Sequence, residues 1–269
     1  MWLRKIIGFL KKDFLLESSY RFSFFFDIFG ILINISIYFF IDRLFEQRLV
    51  AHLEEFGVNY FSYVILSSAA FSYIGIGMGS FAERIRSEQV QGTLETILVT
   101  PTRTAVLVFS LIIWSLFSAT LELFMYITLG IFLFKIDLTH LNILSCIITL
   151  LLIIISFSSL GIISASFLIV FKRLNPLSWL IGSLEGLLGG VYFPITVLPG
   201  WLQFIARFFP ITYAIRAIQL AVYKGYHPMQ LSRELGFLFL FSILLLPISI
   251  FIFWKSLYRS RKTGTLAHY

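Results

Sequence analysis

Three acidic side chains stand inside runs that are otherwise apolar: Asp27, Glu122 and Glu185. An ionised carboxyl at the centre of a membrane-spanning helix costs about 2.5–3.5 kcal/mol on insertion scales, so such residues point to an ion site, a polar substrate path or a specific partner. Asp27 is near one end of its run, where the simple reading is that it snorkels to the interface or pairs with Arg21. Glu122 has no basic neighbour in sequence, and Glu185 lies in "GSLEGLLGG". For Glu122 and Glu185 two readings stand side by side. Each is neutral or held by a hydroxyl of a neighbouring helix, or each lines a substrate path, with Arg216 a possible partner for Glu185. No catalytic constellation competes with these. The chain has no H-E-x-x-H, no G-x-S-x-G and no paired acids within the runs, and His52, His140, His227 and His268 all lie outside them. Cys146 is the single cysteine, so neither an intrachain disulfide nor a thiolate metal set is expected.

The elements that must carry these residues are long apolar helices. Of the 269 residues 58% are hydrophobic and 13% charged, against about 25% charged in an ordinary soluble domain. Residues 56–82, 141–171 and 235–254 contain no Asp, Glu, Lys or Arg, whereas 105–134 holds only Glu122 and 174–206 only Glu185. About 20 apolar residues cross the hydrocarbon, and a soluble helix must turn a polar face to water. The fold class expected is therefore an all-α polytopic membrane protein with six transmembrane helices near 22–42, 58–82, 105–134, 141–171, 175–195 and 235–257. The chain reads as a single transmembrane domain over 1–269.

Lys and Arg divide unevenly between the two sets of connections, fourteen against seven. Positive charge accumulates on the cytoplasmic side, so both termini and the 83–104 connection are expected there. The net charge of +7 then reflects topology and anionic lipid, and no nucleic-acid partner is expected. Within 1–20, "MWLRKIIGFLKK" places Arg4, Lys5, Gly8, Lys11 and Lys12 on one arc and Trp2, Leu3, Ile6, Ile7, Phe9 and Leu10 on the other. That pattern predicts a helix lying in the membrane interface. A signal peptide fits less well, because Lys11 and Lys12 interrupt the apolar stretch.

Between the second and third spans stands a polar island, "ERIRSEQVQGTLETILVTP". Val90, Leu94, Ile97 and Leu98 share one helical face, and Pro101 stops the helix because the residue before proline is pushed out of helical geometry. A helix over 84–100 is expected, with Gly92 inside it at about 1 kcal/mol relative to Ala. Its apolar face rests on the bilayer, or it docks a partner; the residues alone favour neither. Further on, Pro194, Pro199 and Pro210 each lack a backbone donor, so 190–222 is expected to break into short helices. Non-helical backbone at membrane depth persists only against protein or a wet cavity, which predicts a re-entrant hairpin anchored by Trp201.

Two of these segments carry a family resemblance. "EQVQGTLETILVTP" resembles the E-x-G-T-L-E-x-L-L-x-T-P pattern of ATP-binding-cassette type-2 transporter permeases, through Gly92, Thr93, Leu94, Glu95, Leu98, Thr100 and Pro101. Glu88 is one residue further from Gly92 than is usual there, and Ile97 replaces a leucine. "GGVYFPITVLPGWLQFIARFFPITYAIRAIQ" is similar to the segment before that family's last span, through Gly190, Phe193, Pro194, Leu198, Pro199, Pro210 and Tyr213. The resemblance implies that 84–101 is a coupling helix docking a cytoplasmic ATPase, with Glu88, Gln91 and Glu95 toward the partner. It implies that 190–222 is an outer gate, that a second permease copy completes a homodimer, and that two ATPase subunits serve the pair.

No G-x-x-x-x-G-K-[ST] loop occurs in the chain, so this chain itself needs no cofactor. ATP and Mg belong on the partner ATPase. The function expected is that of a plasma-membrane exporter permease, itself no enzyme, moving an amphipathic, lipid-linked or drug-like substrate. Glycan export within the same superfamily and an ion-coupled secondary transporter are the alternatives.

Overall fold

The computed structural model describes residues 2–19, 21–44, 52–90, 92, 104–134, 139–171, 182–184 and 186–262. The described residues are helices, turns and loops, with no strand among them. In chain order the helices are α1 (Trp2–Ser19), α2 (Arg21–Leu44), α3 (Tyr60–Val90), α4 (Thr104–Phe134) and α5 (Ile143–Phe171). A 3₁₀ turn (Ile195–Val197) follows, then α6 (Gly200–Ala206), α7 (Pro210–Tyr223) and α8 (Ser232–Lys262).

Local chemistry sets several boundaries. Asn59 starts α3 by accepting the Ser62 backbone N–H on its side-chain oxygen at 3.1 Å, and Asn142 does the same for Ser145 at the start of α5. Pro210 occupies the first turn of α7, where a missing N–H costs nothing. At its far end α3 runs on past the apolar stretch to Val90, and Gly92 takes φ +69° just beyond it. That left-handed conformation suits glycine and commonly ends helices. Of the expected helix over 84–100, residues 84–90 are the last two turns of α3 and Gly92 stands in a turn beyond them, while 91 and 93–100 lie outside the described residues. Hydropathy marks where the membrane ends, but "ERIRSEQV" contains no residue that would stop the helix there.

Among the described residues, Tyr60–Glu88, Ile143–Ile169 and Ser232–Arg259 are long and apolar enough to cross a membrane. The bent pair α6 and α7, meeting at 89°, brings the number to four if it counts as one broken span. Two further expected spans coincide with α2 and α4, helices of 24 and 31 residues. The fifth expected span, 175–195, is described at 182–184 and 186–195. What is described of it is helical at 182–184 and 186–188 and gives way to a turn at 189–190.

The bundle is built around α3, which packs on α4, α5, α7 and α2, while α8 packs on α5 and α7, and α1 packs on α4. In the most apolar window of α3 71% is buried, against 22% for α8, so α3 is the interior rod and α8 offers lipid a broad face. The main core joins Ile31 and Ile35 of α2, Ala70 and Ile74 of α3, Ala119 of α4, Ile153 and Phe157 of α5 and Ile215 of α7. Without a hydrophobic drive between helices in lipid, close contact comes from small and hydroxyl residues. Gly77 lets α3 settle against Ile154 and Phe157, and a Cβ on Gly161 of α5 would lie 2.5 Å from the Met78 carbonyl oxygen. Ser156 and Ser242 join α5 to α8 at 2.7 Å. Phe22, Phe25, Phe26 and Phe29 of α2 are exposed, as expected of lipid-facing bulk.

Candidate functional site

At the α1 end of the bundle the last turns of α3 rest on a satellite core. Phe81 and Ile85 pack with Ile162, Ala165 and Ile169 of α5 and with Phe253 and Leu257 of α8. One turn further, Glu88 is only 7% exposed and forms an ion pair with Lys12 of α1. A carboxylate this enclosed keeps its charge at tolerable cost only when paired. Lys12 and the buried Asp13 turn inward, whereas Ile7, Phe14 and Leu15 of α1 are exposed. This polarity is reversed relative to a soluble surface helix and suits an interfacial one. The basic group beside Glu88, a residue expected to meet a partner subunit, is Lys12 of its own chain. Gly92 is exposed, and no described residue lies within 4 Å of where a Cβ would stand. Gln91, Thr93, Leu94, Glu95, Leu98, Thr100 and Pro101 lie outside the described residues.

At the opposite, hairpin end the motif prolines punctuate short elements. Pro194 precedes the 3₁₀ turn, Pro199 precedes α6, and Pro210 opens α7. Leu198 is extended between the first two elements. Gly190 takes φ +79° and its carbonyl accepts the Tyr63 hydroxyl of α3 at 2.5 Å. Phe193 is half-buried, and Tyr213 stacks on Phe237 of α8 with centroids 4.1 Å apart. The two arms of the hairpin differ sharply. Short α6 exposes Trp201 and Phe204, and Phe208 in the turn after it is exposed too, whereas nearly every residue of α7 is buried. The α7 arm is bound to α3 by polar contacts: Gln219 Nε2 donates to the Tyr63 carbonyl at 2.8 Å and to Ser67 Oγ at 2.7 Å. The Tyr223 hydroxyl donates to the Ser62 carbonyl at 2.8 Å.

Arg216, named from the sequence as a possible partner for Glu185, bridges Glu55 at 2.6 Å and Glu234 of α8 at 3.5 Å. Glu185 itself is outside the described residues. In mid-bundle, Glu122 of α4 accepts a hydrogen bond from Ser72 of α3. Among the described residues no group of three or more metal-type ligands gathers.

Sequence reasoning missed Lys12, Ser72, Gln219 and the Glu55–Arg216–Glu234 bridge as site members. The signal available for Ser72 was its spacing: Ser68 and Ser72 are four apart and share a face of α3.

The described helices define a class, a multi-pass helical membrane protein. The sequence matches the family model for ABC-2 type transporters over residues 6–223. The chain belongs to that family. A search of curated proteins finds no match. Membership makes the chain a membrane transport component and implies association with an ATP-binding partner.

Proposed function

We propose that this chain is the permease subunit of an ATP-driven exporter, acting as a pair of copies on two separate ATPase subunits, which bind ATP and Mg. The observation that carries the reading is that the family match extends over a continuous α3 that joins the hairpin end to the start of the 84–101 segment. A rod of 31 residues spans about 45 Å at 1.5 Å per residue. A push on its Val90 end is felt where Tyr63 holds Gly190 and where Gln219 holds α3.

In this reading both termini are cytoplasmic, six helices span the plasma membrane, and Gln91, Gly92, Thr93, Leu94, Glu95, Leu98, Thr100 and Pro101 form the docking surface. Glu88 braces that surface from behind through Lys12. The hairpin of Gly190, Phe193, Pro194, Leu198, Pro199, Pro210 and Tyr213 is the outer gate, with α7 its fixed arm and α6 its lipid-facing arm. The cargo is amphipathic, lipid-linked or drug-like, leaving from the cytoplasm or inner leaflet, and Glu122 and Glu185 line its path. An ion-coupled transporter would leave the 84–101 segment without a task.

Co-expression of the full chain with an ATPase carrying a phosphate loop, followed by purification through the permease, tests the reading. A complex whose ATP hydrolysis is stimulated by the permease is expected. Failure of every such ATPase to bind or be stimulated would overturn it.

A further inference from the structure

The Ser72–Glu122 contact is the centre of a larger cluster. Tyr126, one helical turn from Glu122 on α4, is within electrostatic reach of Glu122, of Tyr38 of α2 and of Tyr192 beyond the turn at 189–190. The rings of Tyr38 and Tyr192 lie 6.4 Å apart. Ser68, one turn from Ser72 on α3, is buried beside the Tyr38 phenol, yet its hydroxyl stands outside hydrogen-bond geometry with any described residue. Four separate segments thus bring one carboxyl, three phenols and two hydroxyls to one place in the bundle. Ser72 is about 18 Å along α3 from its Tyr60 end, at 1.5 Å per residue, so the cluster sits at membrane depth. It is not sealed: Glu122 and Ser72 are partly exposed and Tyr192 is exposed.

The chemistry of the cluster selects a sign of charge. The stretches of α3 and α4 that carry it, 56–82 and 105–134, contain no Lys or Arg. Phenol faces present negative electrostatic potential and attract cations, most strongly when desolvated. A carboxyl beside them adds attraction of the same sign, strengthened by a surrounding of low dielectric. A neutral lipid tail needs neither group, and an anionic headgroup would be repelled by both.

The geometry points to a binding site for a lipophilic organic cation, with Glu122 as counter-charge and Tyr38, Tyr126 and Tyr192 as the aromatic wall. The assignment rests on the permease reading and names the cargo class for it. The ammonium or phosphonium centre sits against Glu122, its apolar substituents lie along the phenol rings, and Ser72 holds the carboxyl in place.

The test uses the purified full chain in lipid nanodiscs and two ions of one size and opposite charge, tetraphenylphosphonium and tetraphenylborate. Retention of the phosphonium above protein-free discs, with no such excess for the borate, is expected. Glu122→Gln should weaken phosphonium retention at least tenfold, and Tyr192→Ala several-fold. Ser72→Ala should keep the preference for the cation, and Glu54→Gln, at an exposed position outside the cluster, should change nothing. Equal retention of both ions, no retention above empty discs, or unchanged retention by Glu122→Gln would each overturn the site. If Glu122→Gln does not fold, Tyr192→Ala decides, and full retention by it counts against the site. Binding needs no ATPase, so the outcomes separate. A chain that recruits an ATPase but retains no phosphonium defeats the cargo class alone, and one that retains phosphonium but recruits no ATPase defeats the permease reading.

Discussion

Lys12 and Glu88 show how a single pair can tie α1 to the end of α3. Glu88 is enclosed while Lys12 keeps about a third of its side chain in contact with solvent, so the pair is neither a surface bridge of negligible worth nor a fully buried one. Lys12→Ala leaves a buried carboxylate without this partner, at an expected cost of about 1–3 kcal/mol. The exchange Lys12→Glu with Glu88→Lys should recover part of that loss, and a double-mutant cycle on thermal unfolding in detergent measures the coupling. Additive single effects would show that the pair does not couple α1 to α3. At the other end, Tyr63→Phe leaves the buried Gly190 carbonyl without its 2.5 Å donor. A cost of about 1–3 kcal/mol is expected, read as a lower unfolding midpoint. None of these pairings was legible in the sequence. Lys12 and Glu88 are 76 positions apart and Ser72 and Glu122 are 50 apart, so each depends on how two helices are rotated against one another.

Helices as units were far more legible. The uncharged runs match the apolar portions of α3, α5 and α8, because the cost of charge in hydrocarbon writes itself directly into composition. The prolines of 190–222 matched element starts, since a residue without an N–H fits first turns. What hydropathy could not show was the helix continuing beyond the membrane, where only the absence of a breaker before Gly92 decides. Nor could it tell contact glycines from free ones. Gly161 meets the Met78 carbonyl, whereas a Cβ on Gly75 would meet nothing within 4 Å. Gly161→Ala is therefore expected to destabilise the α3–α5 pair by about 1–3 kcal/mol through overpacking. Gly75→Ala should be neutral or stabilising by up to about 1 kcal/mol through helix propensity. Unfolding midpoints of the two variants, compared side by side, check the contrast.

For the whole molecule, the arrangement is a rod with a different attachment at each end. Near Val90, α3 is braced by α1 and by the satellite core; near Tyr60 it is bonded to α7 and to the turn at Gly190. In the proposed function such a rod would carry displacement between the 84–101 segment and the hairpin. Site-directed cross-linking tests that claim most directly. In a Cys146→Ala background, which removes the single native thiol, Glu95→Cys supplies one reactive position in the proposed docking segment. Met229→Cys supplies one at the exposed hairpin end. Treated with a short thiol cross-linker beside a co-expressed ATPase, Glu95→Cys should form a permease–ATPase adduct and Met229→Cys none. An adduct from Met229→Cys, or its absence from Glu95→Cys in a complex that still hydrolyses ATP, would contradict the account.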